Sequence, residues 1–312
     1  MTASPQTGGR GARRFEAILP YGLLAISQLS WAGNWVIGRA VRDLVPPVAL
    51  TFWRWSIAAL VLAPFALPRL RGQSGVLKRH WGVLLLLGVS GAGFFQAMVY
   101  TGLRYTEAVN ATLMNSASPL FIIIIAWLMA VERVSLRQLA GMLLSFCGIL
   151  VILNRGDIGQ LRDFRFNPGD LLILLAMPAW GFYCVLLQRR PAELDGIAFL
   201  FVICLVGALA LAPFYALESI FIRVPQITLG SVAAMLYVGL FASVLSYGLW
   251  NRGVAMIGPS RAGFTNHLLP AFTAGLAIVL LGEKLRVFHV VGVATILAGV
   301  WIATSAPPPT AD

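Results

Sequence analysis

Charged residues are scarce in this 312-residue sequence. Asp, Glu, Lys and Arg together make up 11% of it, while 59% is hydrophobic and the mean hydropathy is +0.83. An ordinary soluble domain carries about 25% charged residues. So low a charge content excludes an ordinary soluble domain, and a chain this apolar needs lipid as its solvent. We therefore expect an integral membrane protein.

Cysteine is also rare, and the three cysteines (Cys147, Cys184 and Cys204) all fall inside long apolar stretches. That placement argues against a disulfide framework and against a cysteine metal site. The sequence also lacks a His-Glu metal motif, paired Asp residues and a Gly-x-Ser-x-Gly turn, which are typical of membrane-embedded hydrolases. We expect no enzyme activity, no metal and no cofactor.

Apolar stretches of about 20 residues, the length that crosses a bilayer as a helix, recur along the chain. The expected fold class is all-α integral membrane, with ten transmembrane helices. Their expected ranges are 17–39, 47–67, 80–103, 107–130, 137–154, 169–188, 196–216, 228–250, 260–281 and 285–304. The connections are too short for a soluble domain, so function has to lie within the helix bundle.

The net charge of +11 comes from 23 Lys and Arg residues against 12 Asp and Glu residues. The basic residues sit at the ends of the apolar stretches, so we expect the lipid bilayer and not nucleic acid as their partner. They are most abundant in the first loops, which predicts a multi-pass inner-membrane protein with both termini in the cytoplasm. The basic N-terminal tail is typical of a signal peptide, but the apolar run behind it is too long and holds no convincing cleavage site. We interpret that run as the first helix.

All twelve acidic residues lie outside the middle of the predicted spans. Without a central carboxylate, proton-coupled expulsion of cationic drugs through a membrane-buried Glu is disfavoured. A neutral or zwitterionic solute fits better. Energy coupling through a histidine and simple facilitated diffusion both remain open.

The chain repeats itself at a nearly constant offset. Near the start of each half the offset is 149 residues, which pairs Trp31 with Trp180 and the run Leu62 to Phe65 with Leu211 to Phe214. Further along it is 151, and the identical pairs are Gly102 and Gly253, Ala111 and Ala262, Asn115 and Asn266, Pro119 and Pro270, Glu132 and Glu283, Gly141 and Gly292, and Gly148 and Gly299. Repetition at a fixed period indicates duplicated architecture.

The repeat predicts a cytoplasmic tail (1–16), a first five-helix half (17–154), an extracytoplasmic linker (155–168), a second five-helix half (169–304) and a C-terminal tail (305–312). Because five is odd, the second half enters the membrane inverted. Inverted repeats are common in secondary transporters, since two similar halves exchange conformations and open a central site alternately to each side. A duplication that serves stability alone is the alternative interpretation.

The segment Leu281 to Leu285, Leu-Gly-Glu-Lys-Leu, is followed by Gly292 and Gly299 in an apolar helix. It resembles the hairpin between helices nine and ten of the EamA family in the drug/metabolite transporter superfamily. The first-half counterpart, Val131 to Val134, departs from the family pattern with Val where Gly usually precedes the Glu. The resemblance covers nearly the whole chain and is strongest to bacterial aromatic amino acid exporters. It implies a ten-helix metabolite or amino acid exporter with cytoplasmic termini.

Polar and aromatic side chains recur within the predicted spans, at helical spacing and at related positions in both halves. We predict that they surround one substrate cavity, although hydrogen bonding between helices alone would also account for them. The candidate substrate-binding residues are Trp31, Asn34, Arg54, Gln96, Tyr100, Asn115, Trp180, Tyr183, Tyr247, Asn251, Asn266 and His267.

Individual residues leave alternatives open. Arg54 either binds a substrate carboxylate, bonds to helix carbonyls or extends to the headgroups, and its repeat partner is Ile203. His267 either titrates during transport or is a neutral histidine bonded to a neighbouring helix. Pro119 and Pro270 interrupt their helices and are candidate gating hinges or simple bends.

Four tryptophans near predicted span ends suit an interfacial belt. They are Trp81, Trp127, Trp250 and Trp301.

The predicted function is export of small neutral or zwitterionic metabolites, with aromatic and other neutral amino acids foremost, by alternating access. A purine, a sugar derivative or a neutral drug is the alternative substrate. A membrane scaffold or receptor is the alternative outside transport. The sequence is compatible with a monomer and leaves the oligomeric state open.

Overall fold

The computed structural model describes residues 9–115, 117–129, 136–153, 156, 167–257, 262 and 264–304, and within them the regular structure is entirely helical. The helices are α1 (Gly9–Ala40), α2 (Pro47–Leu70), α3 (Ser74–Gly102), α4 (Ala108–Leu128), α5 (Leu136–Leu153), α6 (Pro168–Arg189), α7 (Gly196–Phe221), α8 (Leu229–Ile257), α9 (Leu268–Leu281) and α10 (Val287–Thr304). A helix therefore lies at each predicted span. Residues 1–8, the predicted C-terminal tail, most of the predicted linker and Val131 to Val134 lie outside the described residues. The prediction that the N-terminal tail extends to residue 16 is wrong, because α1 already begins at Gly9.

Six of these helices, α2, α3, α4, α6, α7 and α8, are long and apolar enough to cross a membrane. Shorter apolar helices include α9 and part of α10. Many large apolar side chains face outward, among them Phe221 (77% exposed) and Val279 (80% exposed). Such a surface suits lipid rather than water, because lipid tails are as apolar as these side chains.

Two helices contain a π-helical segment at equivalent places in the repeat. In α3 it spans Gly88–Phe94, and in α8 it spans Leu240–Leu245. A π segment carries one extra residue per turn and shifts its carbonyl groups away from the regular ladder, which is frequent at functional sites. Both halves therefore interrupt a central helix at the same point.

The two prolines predicted as candidate hinges, Pro119 and Pro270, each lie in the first turn of a helical segment. Pro119 is in the first turn of the second piece of α4, Ser118–Leu128, after a first piece that ends at Asn115. Pro270 is in the first turn of α9, behind a 3-10 turn over Phe264–His267. A missing N–H costs little in a first turn, because that N–H has no partner inside the helix. Each break lies in the turn before its proline, which agrees with the prediction that these two prolines interrupt their helices. A gating role for either proline stays a prediction.

The two halves pack through equivalent pairs of helices. Helix α1 packs on α8 and α9, just as α6 packs on α3 and α4. The pairs α2 with α7, α4 with α9 and α5 with α10 each join a helix to its repeat partner. The pattern is unchanged when the halves are exchanged, which is what an approximate two-fold relation requires.

The α5 and α10 pair shows this relation in detail. A Cβ on Gly148 would lie 2.7 Å from the carbonyl oxygen of Gly292, and one on Gly299 would lie 2.5 Å from that of Gly141. Ser145 Oγ also donates to the carbonyl of Ile296 at 3.0 Å. The repeated glycines thus allow the backbones to touch, as in close helix packing within membranes.

Several hydrogen bonds join the halves at the bundle face where α1 ends, which we call the α1-end face. There the Glu218 carboxylate, on α7, accepts from the N–H groups of Val48 (3.1 Å) and Ala49 (2.7 Å) at the start of α2. The Glu283 carboxylate, after α9, likewise accepts from the N–H groups of Ala108 (2.9 Å) and Val109 (3.0 Å) at the start of α4. Each carboxylate satisfies free donors at a helix N-terminus and complements its positive dipole.

Further bonds join the halves at the same face. The Arg223 guanidinium donates to the carbonyls of Arg42 and Asp43, each at 2.6 Å. At the opposite face, within the described ranges, Arg69 pairs with Asp195 at 3.2 Å between side chains that are about half exposed. Within the described residues, carboxylate and guanidinium bonds to the backbone thus join the halves at the α1-end face, and a half-exposed ion pair joins them at the other.

We predict that Glu283→Gln and Glu218→Gln each lower the free energy of unfolding by about 1–2 kcal/mol, because a neutral amide forms weaker hydrogen bonds to the helix N-terminus. Thermal unfolding in detergent measures this. Glu107→Gln is the control, since Glu107 lies in the same region but is exposed. Equal unfolding temperatures for all three variants and the wild type would contradict the assignment.

Candidate functional site

A small cavity lies at the centre of the bundle, between helices of both halves. Its lining residues are Gln28, Trp31, Asn34, Trp35, Phe95, Gln96, Asn115, Trp180, Tyr247, Asn266 and Leu269. The volume of the cavity is about 20 Å³. That is close to the minimum that holds one water molecule. Side chains therefore nearly fill the cavity in this conformation.

The structure brings most of the predicted residues together. Those lining the cavity are Trp31, Asn34, Gln96, Asn115, Trp180, Tyr247 and Asn266. Four other predicted residues are buried next to the lining residues: Arg54, Tyr100, Tyr183 and Asn251. Arg54 bonds to Asn34 and Tyr100. Tyr183 bonds to Asn251 and packs on the Tyr247 ring. The His267 backbone lies in the 3-10 turn before α9, and its side chain lies outside the described part of the structure.

Aromatic rings form one wall. The Trp31 ring meets Trp180 and Tyr247 edge-on, with 5.5 Å between ring centroids in each pair. Trp180 stacks on Tyr183 at 5.3 Å and lies 5.1 Å from Phe95. Edge-to-face and offset arrangements are the favoured geometries for aromatic pairs. Trp31 and Trp180 are repeat partners, so the wall lies where the two halves meet.

The π segments provide the acceptors for this wall. The carbonyl of Ala242 accepts from Trp31 Nε1 at 2.9 Å, and the carbonyl of Gly91 accepts from the Tyr247 hydroxyl at 3.1 Å. Gly91 and Ala242 are 151 residues apart and so are repeat partners. A Cβ on Gly91 would lie 2.3 Å from the Tyr183 ring, so only glycine permits this approach. The interruption of each helix thus anchors a ring contributed by the other half.

An Asn and Tyr pair occurs in each half, with the two residue types exchanged. The Tyr100 hydroxyl on α3 donates to Asn34 Oδ1 on α1. The Tyr183 hydroxyl on α6 donates to Asn251 Oδ1 on α8 at 2.9 Å. Asn34 pairs with Tyr183 in the repeat, and Tyr100 pairs with Asn251. The hydrogen bond between the first and third helices of each half is preserved although both residues differ.

Arg54 breaks the symmetry. Its side chain is fully buried, and its Nη1 donates to Asn34 Oδ1 (2.9 Å) and to the Tyr100 hydroxyl (3.2 Å). Its Nε donates to Ser243 Oγ (2.7 Å), and its Nη2 donates to the Ala242 carbonyl (2.8 Å). These acceptors are all neutral, and the ion pairs of the described residues do not include Arg54.

The Arg54 guanidinium also packs on aromatic faces, 4.9 Å from the Trp55 ring centroid and 5.8 Å from that of Tyr247. Cation–π contacts of this kind stabilise a desolvated cation. Of the three interpretations considered from the sequence, extension to the headgroups is wrong. Arg54 points into the bundle, where a helix carbonyl and neutral side chains hold it.

Amide groups line the other side of the cavity. Gln28 Nε2 donates to Asn266 Oδ1 at 2.8 Å, and Asn266 Nδ2 donates to Ser118 Oγ at 2.9 Å. Asn115 ends the first piece of α4, and Asn266 lies in the turn before α9. Irregular backbone at this depth is tolerated where it is buried in protein or lines a cavity. The repeated Asn residues therefore lie where their helices are broken.

Sequence reasoning missed some cavity residues. Gln28 lies three residues before Trp31 on the same face of α1, so helical spacing could have found it. Phe95 and Leu269 are apolar and resemble ordinary core residues. Trp250, predicted to lie in an interfacial belt, is fully buried and lies 5.4 Å from Trp31 between ring centroids, so that prediction is wrong.

The other three predicted belt tryptophans are exposed on the surface. They are Trp81 (66% exposed), Trp127 (53%) and Trp301 (65%).

Comparison with known proteins places the chain among transporters. Residues 18–154 and 167–305 each match the EamA-like transporter family. The chain belongs to the EamA-like transporter family, and each half carries one copy of the family's domain. It is thus a multi-pass membrane protein of a family whose members are transporters, not enzymes.

Individual relatives are distant but align over most of their length. An uncharacterized transporter of Archaeoglobus fulgidus is 28% identical over 91% of this chain and 96% of its own. The uncharacterized transporter YyaM of Bacillus subtilis is 26% identical over 83% and 84%. A probable terminal-alkyne amino-acid exporter of Streptantibioticus cattleyicolor is 24% identical over 89% and 91%.

A solved crystal structure has the same fold, with a TM-score of 0.62 and 22% sequence identity over 90% of this chain and 94% of that one.

Asn34→Leu and Asn251→Leu form a matched pair for the first and second halves. Both leave a buried tyrosine hydroxyl without its acceptor, but only Asn34→Leu also takes an acceptor from the buried Arg54 charge. We predict a loss of about 3–5 kcal/mol for Asn34→Leu and about 1–3 kcal/mol for Asn251→Leu. Chemical unfolding in detergent measures both. Equal losses would show that Arg54 does not depend on Asn34.

Proposed function

We propose that this chain exports small neutral or zwitterionic metabolites, aromatic and other neutral amino acids foremost, by alternating access through the central cavity. One observation carries the proposal. Aromatic faces and amide groups from both halves converge on a single cavity at the centre of the bundle. Apolar walls with a few convergent polar groups are the usual form of a small-molecule site.

The architecture proposed is ten transmembrane helices arranged as two inverted five-helix halves. The repeated family match and the exchange of equivalent helix contacts support it. Five crossings in each half give the second half the opposite orientation, as in many secondary transporters. With both termini in the cytoplasm of an inner-membrane protein, the α1-end face is extracytoplasmic.

The described conformation is proposed to be a closed state that precedes opening to the cytoplasm. The cavity volume is about 20 Å³, which is too small for an amino acid. The walls of the cavity must therefore separate before an amino acid can bind. The carboxylate contacts of Glu218 and Glu283 close the extracytoplasmic face. At the cytoplasmic face the Arg69 and Asp195 pair is half exposed, and exposed pairs contribute little. We propose that opening occurs on that side.

An aromatic amino acid suits this cavity for a physical reason. The rings of Trp31, Trp180 and Tyr247 offer faces and edges to a flat apolar group, and Asn34 and Gln96 offer amides to a polar one. The relative from Streptantibioticus cattleyicolor, which carries the name of an amino-acid exporter, supports the same class. No carboxylate lines the cavity within the described ranges, so a strongly cationic solute lacks a counter-ion there.

The test is efflux of labelled phenylalanine from liposomes that contain only this protein, with and without a pH gradient. We expect efflux above empty liposomes, reduced by unlabelled tryptophan and tyrosine. Stronger reduction by adenine or a neutral sugar would assign a different substrate. No flux of any solute, from protein shown to be folded and inserted, would favour a scaffold or receptor and contradict the proposal. Dependence on the gradient distinguishes coupled transport from facilitated diffusion.

A further inference from the structure

Two donors converge on one oxygen at the edge of the cavity. Arg54 Nη1 (2.9 Å) and the Tyr100 hydroxyl both donate to Asn34 Oδ1, and Asn34 itself lines the cavity. The remaining bonds of the guanidinium hold it on the α8 π segment, through Ser243 Oγ and the Ala242 carbonyl. The guanidinium is thus held by α8, while its Nη1 bonds to the Tyr100 hydroxyl and to Asn34, the residue that separates it from the cavity.

The hydrogen-bond acceptors around Arg54 are weaker than a carboxylate would be. Charge-assisted hydrogen bonds between a guanidinium and a carboxylate are roughly twice as strong as neutral ones. Arg54 is fully buried, yet its hydrogen-bond acceptors are an amide, two hydroxyls and a carbonyl. A buried cation with neutral partners gains more from an incoming anion than an exposed one does, because surrounding protein does not screen the attraction as water would.

The fold does not itself require this cation. The repeat partner of Arg54 is Ile203, which is fully buried in the equivalent helix α7. On that side the Tyr183 and Asn251 pair forms its hydrogen bond without an arginine. The same framework is therefore built with and without the guanidinium, and a charge lies behind the cavity wall in the first half only.

We propose that Arg54 and Tyr100 form a carboxylate-binding subsite, in which the Asn34 amide oxygen occupies the position that a substrate carboxylate oxygen takes during transport. The inference rests on the proposed function and narrows its substrate class to solutes that bear a carboxylate. Binding displaces Asn34 Oδ1, and the carboxylate oxygen then accepts from Arg54 Nη1 and the Tyr100 hydroxyl. The apolar part of the solute lies against Trp31 and Tyr247, which face the same cavity.

The first test compares acids with their own amides. Phenylalanine with phenylalaninamide, 3-phenylpropionate with its amide, and hexanoate with its amide are assayed by thermal stabilisation of the wild-type protein in detergent. Each acid is expected to bind on the order of 10- to 100-fold more tightly than its amide, the range that one charge-assisted contact provides. Amides that bind as tightly as the acids would overturn the proposal.

The second test uses two variants. Asn34→Asp places a permanent carboxylate against Arg54, so the variant is expected to stay folded, with an unfolding temperature no lower than that of the wild type, and to lose the preference for acids. Arg54→Gln is expected to lose the same preference. If Arg54 had only a structural role, each variant would change the affinity for acids and the affinity for amides by the same factor. The ratio of acid affinity to amide affinity would then stay at its wild-type value. An unchanged ratio in folded Asn34→Asp would overturn the proposal.

Failure of this inference is distinguishable from failure of the proposed function. Phenylalanine flux with equal competition by phenylalaninamide would retain the amino acid exporter and remove the carboxylate subsite. Absence of phenylalanine flux, with 3-phenylpropionate or hexanoate binding more tightly than its amide, would retain the subsite and change the substrate. If no acid binds more tightly than its amide, the subsite is excluded whichever solute is transported.

Discussion

The carbonyl group of Ala242 is the acceptor on which the centre of the molecule depends. It receives hydrogen bonds from Trp31 Nε1 and Arg54 Nη2, and so joins helices α1, α2 and α8. In a lipid environment no water can replace a missing partner, so polar groups in the bundle must be satisfied by protein. The π segment of α8 makes this carbonyl available, and the equivalent segment of α3 makes the Gly91 carbonyl available to Tyr247. A local irregularity of the backbone, present twice, thus positions the aromatic wall of the cavity.

Symmetry and asymmetry have different roles in this arrangement. The paired π segments, broken helices and reciprocal glycine contacts of α5 and α10 make the two halves similar. Similar halves are what allows a central site to face either side of the membrane in turn. Arg54 occurs in one half only, so the proposed carboxylate subsite gives the cavity one charged side. A solute with one charged end and one apolar end would therefore bind in a single orientation.

Much of this could be predicted from sequence, because lipid imposes simple rules. Apolar length located the helices, and the offset of 149 to 151 residues predicted the paired positions of Trp31 with Trp180 and Asn115 with Asn266. Helical spacing also selected most of the polar residues that line the cavity. These features follow from periodicity, which a single sequence contains.

Other features depend on tertiary contacts and could not be predicted in the same way. The π segments have no distinctive composition, so the regular 3.6-residue period did not reveal them. Trp250 lies near a predicted span end but is buried because α8 continues to Ile257 and packs on α1. The Glu283 carboxylate accepts from the N–H groups of Ala108 and Val109, which lie 175 and 174 positions earlier in the chain. Only the fold shows that contact.

We propose that the cavity between the halves is the binding site for a small carboxylate-bearing solute. The most direct measurement is a cryo-electron microscopy structure of the full chain in a lipid nanodisc with phenylalanine at saturating concentration. We predict ligand density between Trp31 and Trp180, with the carboxylate bonded to Arg54 and Asn34 turned away from the guanidinium. Ligand density confined to another site, with the Arg54 and Asn34 bond intact, would contradict it.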